Sequence, residues 1–185
     1  MQRWDIGSGR LIIRQGDVTT FEVDAVVNAA TSHLAGGGGV DGAVHRAAGA
    51  AKLQTACQAI IEEIGSLPPG QAVITPGFDL PAKHIIHTVG PIWRGGADNE
   101  PELLRAAYAN SLRLASKHGV KTIAFPAVSC GAYGYPVEAA AKVALTELWR
   151  GLESGVVDEA SMVLHGDAAY AAWLSRAQAI FTEET

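Results

Sequence analysis

Residues 25–42 read AVVNAATSHLAGGGGVDG, an apolar run followed by four consecutive glycines and an aspartate. The run 25–29 is rich in valine and does not alternate with polar residues, which is typical of a strand buried on both faces of a sheet. Glycines let the backbone approach a ligand closely and turn its N–H groups towards it. The stretch therefore predicts a strand, an anion-binding turn, and a helix that begins near Asp41.

Strand and helix patterns alternate along the rest of the chain. Apolar residues repeat at helical spacing after Pro101 and after Pro136, and residues 43–64 and 168–181 are also helical in pattern. This alternation predicts an α/β fold with three layers and one domain over residues 1–185. Six stretches are predicted as strands: 10–15, 25–29, 72–75, 84–89, 122–126 and 160–164.

Composition excludes several classes of protein. The 185 residues are 48% hydrophobic and 18% charged, with a formal net charge of −5. That charge argues against general nucleic-acid binding, which needs a basic surface. Neither a membrane-spanning run nor the apolar core of a signal peptide is found, and two cysteines make neither a disulfide framework nor a zinc site. We expect a cytoplasmic protein without a cofactor or a membrane partner.

The glycine run formally matches a dinucleotide-binding motif, but its context does not. Residues 37–42 fit G-x-G-x-x-G, yet the acidic residue about 20 positions on is Glu62, which lies in a predicted helix and not at a strand end. No Lys-Ser or Lys-Thr follows the glycines, which excludes a nucleoside-triphosphate loop. A phosphate cradle of another kind is favoured over a merely flexible turn.

Asp41 has two interpretations that the spacing alone does not separate. A carboxylate at the start of a helix is a common N-terminal cap. Alternatively, Asp41 is a general base whose charge the helix dipole stabilises.

A second loop, residues 125–136, also leaves a predicted strand and enters a helix. It contains three small residues, Ser129, Gly131 and Gly134, which suit a second anion-binding loop. Two such loops at the carboxyl ends of parallel strands face one crevice. Tyr133 is available to stack or to donate a hydrogen bond, whereas Tyr135 is predicted to pack against the sheet.

The remaining candidates carry weaker signals. Asp17 follows the first predicted strand, either as a turn or cap residue or as a ligand contact. Cys130 is predicted to be a small buried thiol rather than a nucleophile, because no partner base is evident. His45 is predicted to be structural. His84 and His87 are three apart on a strand and point to opposite faces, so no metal site is predicted.

Together these motifs resemble the macrodomain family, in particular its ADP-ribose-hydrolysing branch. The resemblance spans nearly the whole chain and implies an α/β/α sandwich with a mixed, six-stranded sheet and an ADP-ribose cleft. It also implies release of ADP-ribose from acidic side chains and deacetylation of O-acetyl-ADP-ribose, without a metal. The motifs that carry it lie at 16–19, 27–30, 36–42, 87–93 and 125–136.

The resemblance also implies a role for individual residues. Asp17, beside Val18, would bind the adenine amino group, Asp41 would be the catalytic residue, and Tyr133 would position the distal ribose. Asn28 is a ligand-binding position of the matching motif. The distal ribose and phosphate would lie against Gly37, Gly38, Gly39 and Val40, and the pyrophosphate against the backbone of Ser129, Cys130, Gly131, Ala132 and Tyr133.

Two positions depart from the family pattern. Thr31 stands where the family has a second asparagine that donates to the distal ribose, so Thr31 occupies a catalytic position with a shorter side chain. His165 stands after the last strand, where the family often has an aromatic residue near the adenine, and is predicted to stack there. The leading hypothesis is a hydrolase of ADP-ribosyl esters, which Asp41 and Tyr133 favour. The alternative is a non-catalytic ADP-ribose reader, which Thr31 favours.

Overall fold

A mixed sheet of seven strands forms the middle of the molecule, which a computed structural model describes for residues 1–182. The strands lie in the order β1-β2-β7-β6-β3-β5-β4. Five neighbours, β2, β7, β6, β3 and β5, are parallel, and β1 and β4 add antiparallel edges. Their bounds are β1 Gln2–Ile6, β2 Gly9–Gln15, β3 Ala25–Ala29, β4 Ala72–Pro76, β5 His84–Thr88, β6 Thr122–Phe125 and β7 Glu159–Leu164.

Helices cover both faces of the sheet. Within the described residues they are α1 Gly39–Ala48, α2 Ala50–Ile64, α3 Glu100–Lys117, α4 Val137–Glu153 and α5 Asp167–Thr182, with a short 3₁₀ turn at Val18–Thr20. One core lies between the sheet and α3, α4 and α5, and includes Tyr108, Leu145 and Trp173. The other lies between the sheet and α1 and α2, and includes Val44 and Leu53. The predicted α/β/α fold class is confirmed.

The sheet has one strand more than predicted. All six predicted strands are present, but β1 was missed because its sequence, QRWDI, is polar and four of its five residues are not buried. A hairpin through Gly7 joins β1 to β2, and the Trp4 ring lies 5.6 Å from the Phe181 ring of α5. Contacts distant in the sequence therefore hold this edge strand, and its own hydrophobic pattern does not reveal it.

The single helix predicted over 43–64 is also wrong. The chain forms two helices that meet at Gly49, whose φ of +91° interrupts the helical backbone. The first of the two begins at Gly39, inside the glycine run and two residues before Asp41, near which a helix start was predicted. In residues 1–182, no helix has the length and apolar character needed to cross a membrane.

Asp24 joins three strands at the amino edge of the sheet, opposite the glycine run. One carboxylate oxygen accepts from the Lys83 ammonium at 2.9 Å, and the other accepts from the backbone N–H groups of Lys121 and Thr122. Partial burial raises the pKa of Asp24, but the hydrogen bonds outweigh it and hold the pKa at about 2. The charged carboxylate thus stabilises the ends of β3, β5 and β6.

Asp24→Asn should lower the free energy of unfolding by about 1–2 kcal/mol at pH 7, since the native state favours the charged form. Because the pKa of Asp24 is lowered in the native state, its contribution to the free energy of unfolding is present above about pH 4. The contribution is lost as the pH falls towards 2. Urea unfolding at pH 7, 4 and 3 checks this. Asp79→Asn is the control, because Asp79 accepts only from Lys52 in an exposed pair. A stability difference that stays constant with pH would contradict the assignment.

Candidate functional site

A cleft runs along the carboxyl edge of the parallel strands. It consists of a cavity of about 430 Å³ between the ends of β2, β6 and β7 and a cavity of about 340 Å³ between the ends of β3 and β6. The two cavities adjoin, because four residues line both: Gly39, Val40, Ala127 and Gly131. The predicted glycine loop and the second loop thus face one crevice, as the strand order requires.

The glycine loop places the start of α1 at the cleft. Gly38 is the N-cap with extended backbone, and Gly39 is the first helical residue. The first N–H groups of a helix have no partner within the helix and carry partial positive charge, which favours an anion. Asp41 is the third residue of α1, so the interpretation of Asp41 as the cap is wrong.

Asp41 is buried, and only one of its carboxylate oxygens is engaged. Oδ1 accepts from Asn28 Nδ2 at 2.9 Å and lies 3.4 Å from His45 Nε2. Oδ2 has no hydrogen-bond partner among residues 1–182, and the Asp41 side chain lines the smaller cavity. An unpartnered carboxylate oxygen in a cleft suits acceptance of a proton from a bound water or ligand.

A chain of buried polar side chains lies behind Asp41. Asn28 and His87 are register partners on β3 and β5, and Asn28 Nδ2 lies 3.2 Å from His87 Nδ1. An amide NH₂ only donates, so Nδ1 accepts and Nε2 carries the proton towards Thr75 Oγ1 at 2.9 Å. Burial, and then the nearby His45, lowers the pKa of His87 to about 3, which keeps this ring neutral.

The second loop has a strained backbone where it meets the smaller cavity. Ser129 has a φ of +65°, rare for a residue with a side chain, and its buried Oγ has no hydrogen-bond partner. Gly90 packs directly beneath it, since a Cβ on Gly90 would lie 2.1 Å from Ser129 Oγ. The strand end of β5 therefore fixes the position of this loop.

Cys130 is a free thiol that is partly buried, rather than fully buried as predicted. Burial raises the pKa of its thiol to about 11, so the reactive thiolate is scarce near neutral pH. Its backbone N–H donates to Ala127 O at 3.2 Å within a turn. In this conformation that N–H is not directed at a ligand, unlike the role that the resemblance implies.

The larger cavity contains the other predicted contacts. Asp17 caps the 3₁₀ turn, because its Oδ1 accepts from the backbone N–H and the hydroxyl of Thr19, and it also lines the cavity beside Val18. His165 is exposed at the rim. Trp173 is fully buried under this cavity, and its indole N–H has no hydrogen-bond partner.

The structure brings the predicted residues together with one exception. Thr31, Asp41 and Tyr133 line the smaller cavity, and every predicted ligand contact lines one cavity or the other except Asn28, which is fully buried beneath. Their functional roles remain predictions.

Three further residues lie at the site: His45, His87 and Trp173. The spacing of four residues from Asp41 to His45 places both on one face of α1. His45 lines neither cavity, so its structural role stays a prediction. His87 belongs to a motif of the resemblance, but its contact with Asn28 depends on strand pairing. Trp173 was missed, because its position depends on helix docking. Tyr135 is buried in the core beside the sheet, and its ring lies 4.7 Å from the Trp93 ring.

Solved structures of the same shape are macrodomains. An Oceanobacillus iheyensis macrodomain mutant with ADPR has a TM-score of 0.94 and 38% identity, and the match covers 98% of each chain. A Trypanosoma brucei macrodomain in complex with ADP-ribose has a TM-score of 0.80 and 37% identity, over 89% of this chain and 68% of that one.

Curated relatives agree with this likeness. The chain is 57% identical over 137 residues to the O-acetyl-ADP-ribose deacetylase of Cronobacter sakazakii, which covers 74% of this chain and 76% of that protein. It is 48% identical over 180 residues to a Macro domain-containing protein of Xanthomonas campestris, which covers 95% and 98%. Residues 27–144 match the Macro domain family itself, so the chain belongs to the Macro domain family.

Proposed function

We propose that this protein binds ADP-ribose in the cleft and hydrolyses ADP-ribosyl esters, namely ADP-ribose on acidic side chains and O-acetyl-ADP-ribose. The observation that carries the proposal is the buried Asp41, whose Oδ1 is held by Asn28 while Oδ2 has no hydrogen-bond partner and the side chain lines the cleft. A relative with 57% identity is named O-acetyl-ADP-ribose deacetylase, which supports the substrate class.

The two cavities suit the two ends of ADP-ribose. The larger one is bounded by Asp17, an acceptor for the adenine amino group, and by the rim residue His165. The shared region lies between the N-terminus of α1 and the Ser129 loop, where two negatively charged phosphates are stabilised. The smaller cavity then receives the distal ribose beside Asp41, Thr31 and Tyr133.

Asp41 acts on water in this proposal. For a protein ester, water attacks the anomeric carbon, its proton passes to Asp41 Oδ2, and the acidic side chain leaves as a carboxylate with the bonding electron pair. For the acetyl ester, water adds to the carbonyl carbon, and the ribose oxygen leaves with the proton that Asp41 has taken up. No metal or cofactor takes part in either step.

The buried groups around Asp41 set its orientation. Asn28 donates to Oδ1, and the neutral His87 accepts from the same amide, so the Asn28 NH₂ group is fixed towards Asp41. This arrangement leaves Oδ2 as the carboxylate oxygen without a partner among the described residues, and a water bound with the ligand would supply that partner in this proposal. Preorganised hydrogen bonds of this kind avoid reorganisation during the reaction.

A non-catalytic reader of ADP-ribose is the second candidate. Thr31 favours it, because a hydroxyl holds the distal ribose with fewer hydrogen bonds than the family's amide. Such a protein would bind ADP-ribose in the same cleft and release no product.

Asp41→Ala should lower the single-turnover release of ADP-ribose roughly 10²–10⁴-fold, the range typical of a positioned acid or base. The substrate is a protein mono-ADP-ribosylated on glutamate, and ADP-ribose affinity is measured calorimetrically on the same variant. Affinity should change less than about tenfold, since the phosphates and adenine bind elsewhere in the cleft.

Asp79→Ala is the matched control for Asp41→Ala, because it removes an exposed carboxylate that lines neither cavity. Full activity in the Asp41 variant would contradict the catalytic role. Intact ADP-ribose binding with no turnover by the wild-type protein would assign the chain to the reader class.

Thr31→Asn should raise the hydrolysis rate and alter ADP-ribose affinity only modestly. The longer amide donates to one group and accepts from another, so it holds the distal ribose more firmly near Asp41. Small misplacements of a reacting group cost on the order of 10²-fold in rate. Rates are measured beside Thr31→Val, which has a similar volume and no hydroxyl. An Asn variant slower than wild type would refute this account.

A further inference from the structure

Glu100 has a buried carboxylate that accepts hydrogen bonds from the backbone of a loop outside the cleft, residues 94–98. It is the first residue of α3, and its side chain is 1% exposed. Oε1 accepts from the backbone N–H groups of Arg94 at 2.7 Å and Gly96 at 3.1 Å, and Oε2 accepts from that of Asp98 at 2.7 Å. One side chain thus accepts from three alternate backbone N–H groups of the segment between β5 and α3.

The loop 94–98 packs against Trp93. Gly96 has a φ of +89°, and a Cβ at this position would lie 2.8 Å from Cη2 of the Trp93 indole. Because Gly96 also donates to Glu100, the carboxylate holds this stretch of backbone against the indole ring.

Trp93 in turn contacts the second loop of the cleft. Its backbone N–H donates to Tyr133 O at 2.9 Å, and its ring lies 4.7 Å from the ring of Tyr135. Tyr133 lines the smaller cavity together with Asp41 and Thr31. A continuous path therefore runs from Glu100 through Gly96 and Trp93 to the wall of the cleft.

We propose that Glu100 is a positioning residue for the distal-ribose end of the cleft, acting through Trp93 on Tyr133. This inference rests on the proposed function. Glu100 does not line the cleft and touches no substrate. Its role is to fix the Trp93 backbone, so that Tyr133 stands at one place relative to Asp41 before ligand binds.

Replacing Glu100 by glutamine isolates this role. Glutamine keeps the shape but has one acceptor oxygen, and its NH₂ group opposes at least one backbone N–H of the loop. A buried N–H without a partner is unfavourable, so the loop opens or shifts to reach water. The adenine contacts and the start of α1 lie on other elements and are not altered. The Ser129 end of the second loop is held separately by Gly90, so the diphosphate contacts there are affected less than Tyr133.

Glu100→Gln should weaken ADP-ribose binding and turnover roughly 10–10²-fold, as expected for a shift of about 1 Å at the reacting end. Binding of ADP, which lacks the distal ribose, should change less than about twofold. Amide hydrogen exchange at Trp93 should accelerate in the variant even without ligand. Glu102→Gln is the control, because Glu102 is two residues away, exposed, and paired only with Arg105.

Equal loss of ADP and ADP-ribose affinity would overturn the inference, since it indicates a general loss of structure. Unchanged exchange at Trp93 would overturn it as well. If Glu100→Gln does not fold, Gly96→Ala is the second variant, because its methyl group displaces the Trp93 ring. It should weaken ADP-ribose binding more than ADP binding, as Glu100→Gln does. If the proposed function is wrong, the wild-type protein will not bind ADP-ribose. If only this inference is wrong, the wild-type protein will bind ADP-ribose and the variants will not show the selective loss.

Discussion

The hydrogen bond from Asn28 Nδ2 to Asp41 Oδ1 joins the central strand β3 to the first turn of α1, and the candidate site depends on it. Both groups are buried, so each needs a partner, and neither finds water easily. The bond fixes the side chain of Asp41 and the start of the helix together. His87 of β5 orients the Asn28 amide by accepting from it, and Thr75 of β4 in turn hydrogen-bonds His87. The orientation of Asp41 therefore also depends on these two strands.

Groups that stabilise the fold and groups of the candidate site lie at opposite edges of the sheet. At its amino edge, Asp24 uses both carboxylate oxygens to hold Lys83, Lys121 and Thr122, and the low pKa of Asp24 reflects this stabilisation. At its carboxyl edge, in contrast, polar atoms of Asp41 and Ser129 are buried without partners. Unsatisfied polar atoms cost free energy, and a folded chain retains them most readily where a ligand supplies the missing partner.

Much of this arrangement followed from the sequence, because the relevant signals were local. Valine-rich runs marked the buried parallel strands, and the glycine run marked the turn before α1. The edge strand β1 lacked such a signal, since Trp4 finds its partner Phe181 at the far end of the chain. The break at Gly49 was hidden because the apolar pattern continues through it. The contact of His87 with Asn28 and the contacts of Glu100 with its loop depend on strand register and loop geometry, which residue spacing does not reveal.

The central claim is that the two loops hold one ADP-ribose molecule with its distal ribose at Asp41. A crystal structure of the protein with ADP-ribose tests this most directly. The account predicts the diphosphate between the start of α1 and the Ser129 loop, and a water bonded to Asp41 Oδ2 about 3–3.5 Å from the anomeric carbon. A distal ribose turned away from Asp41, or a diphosphate bound outside the two loops, would contradict it.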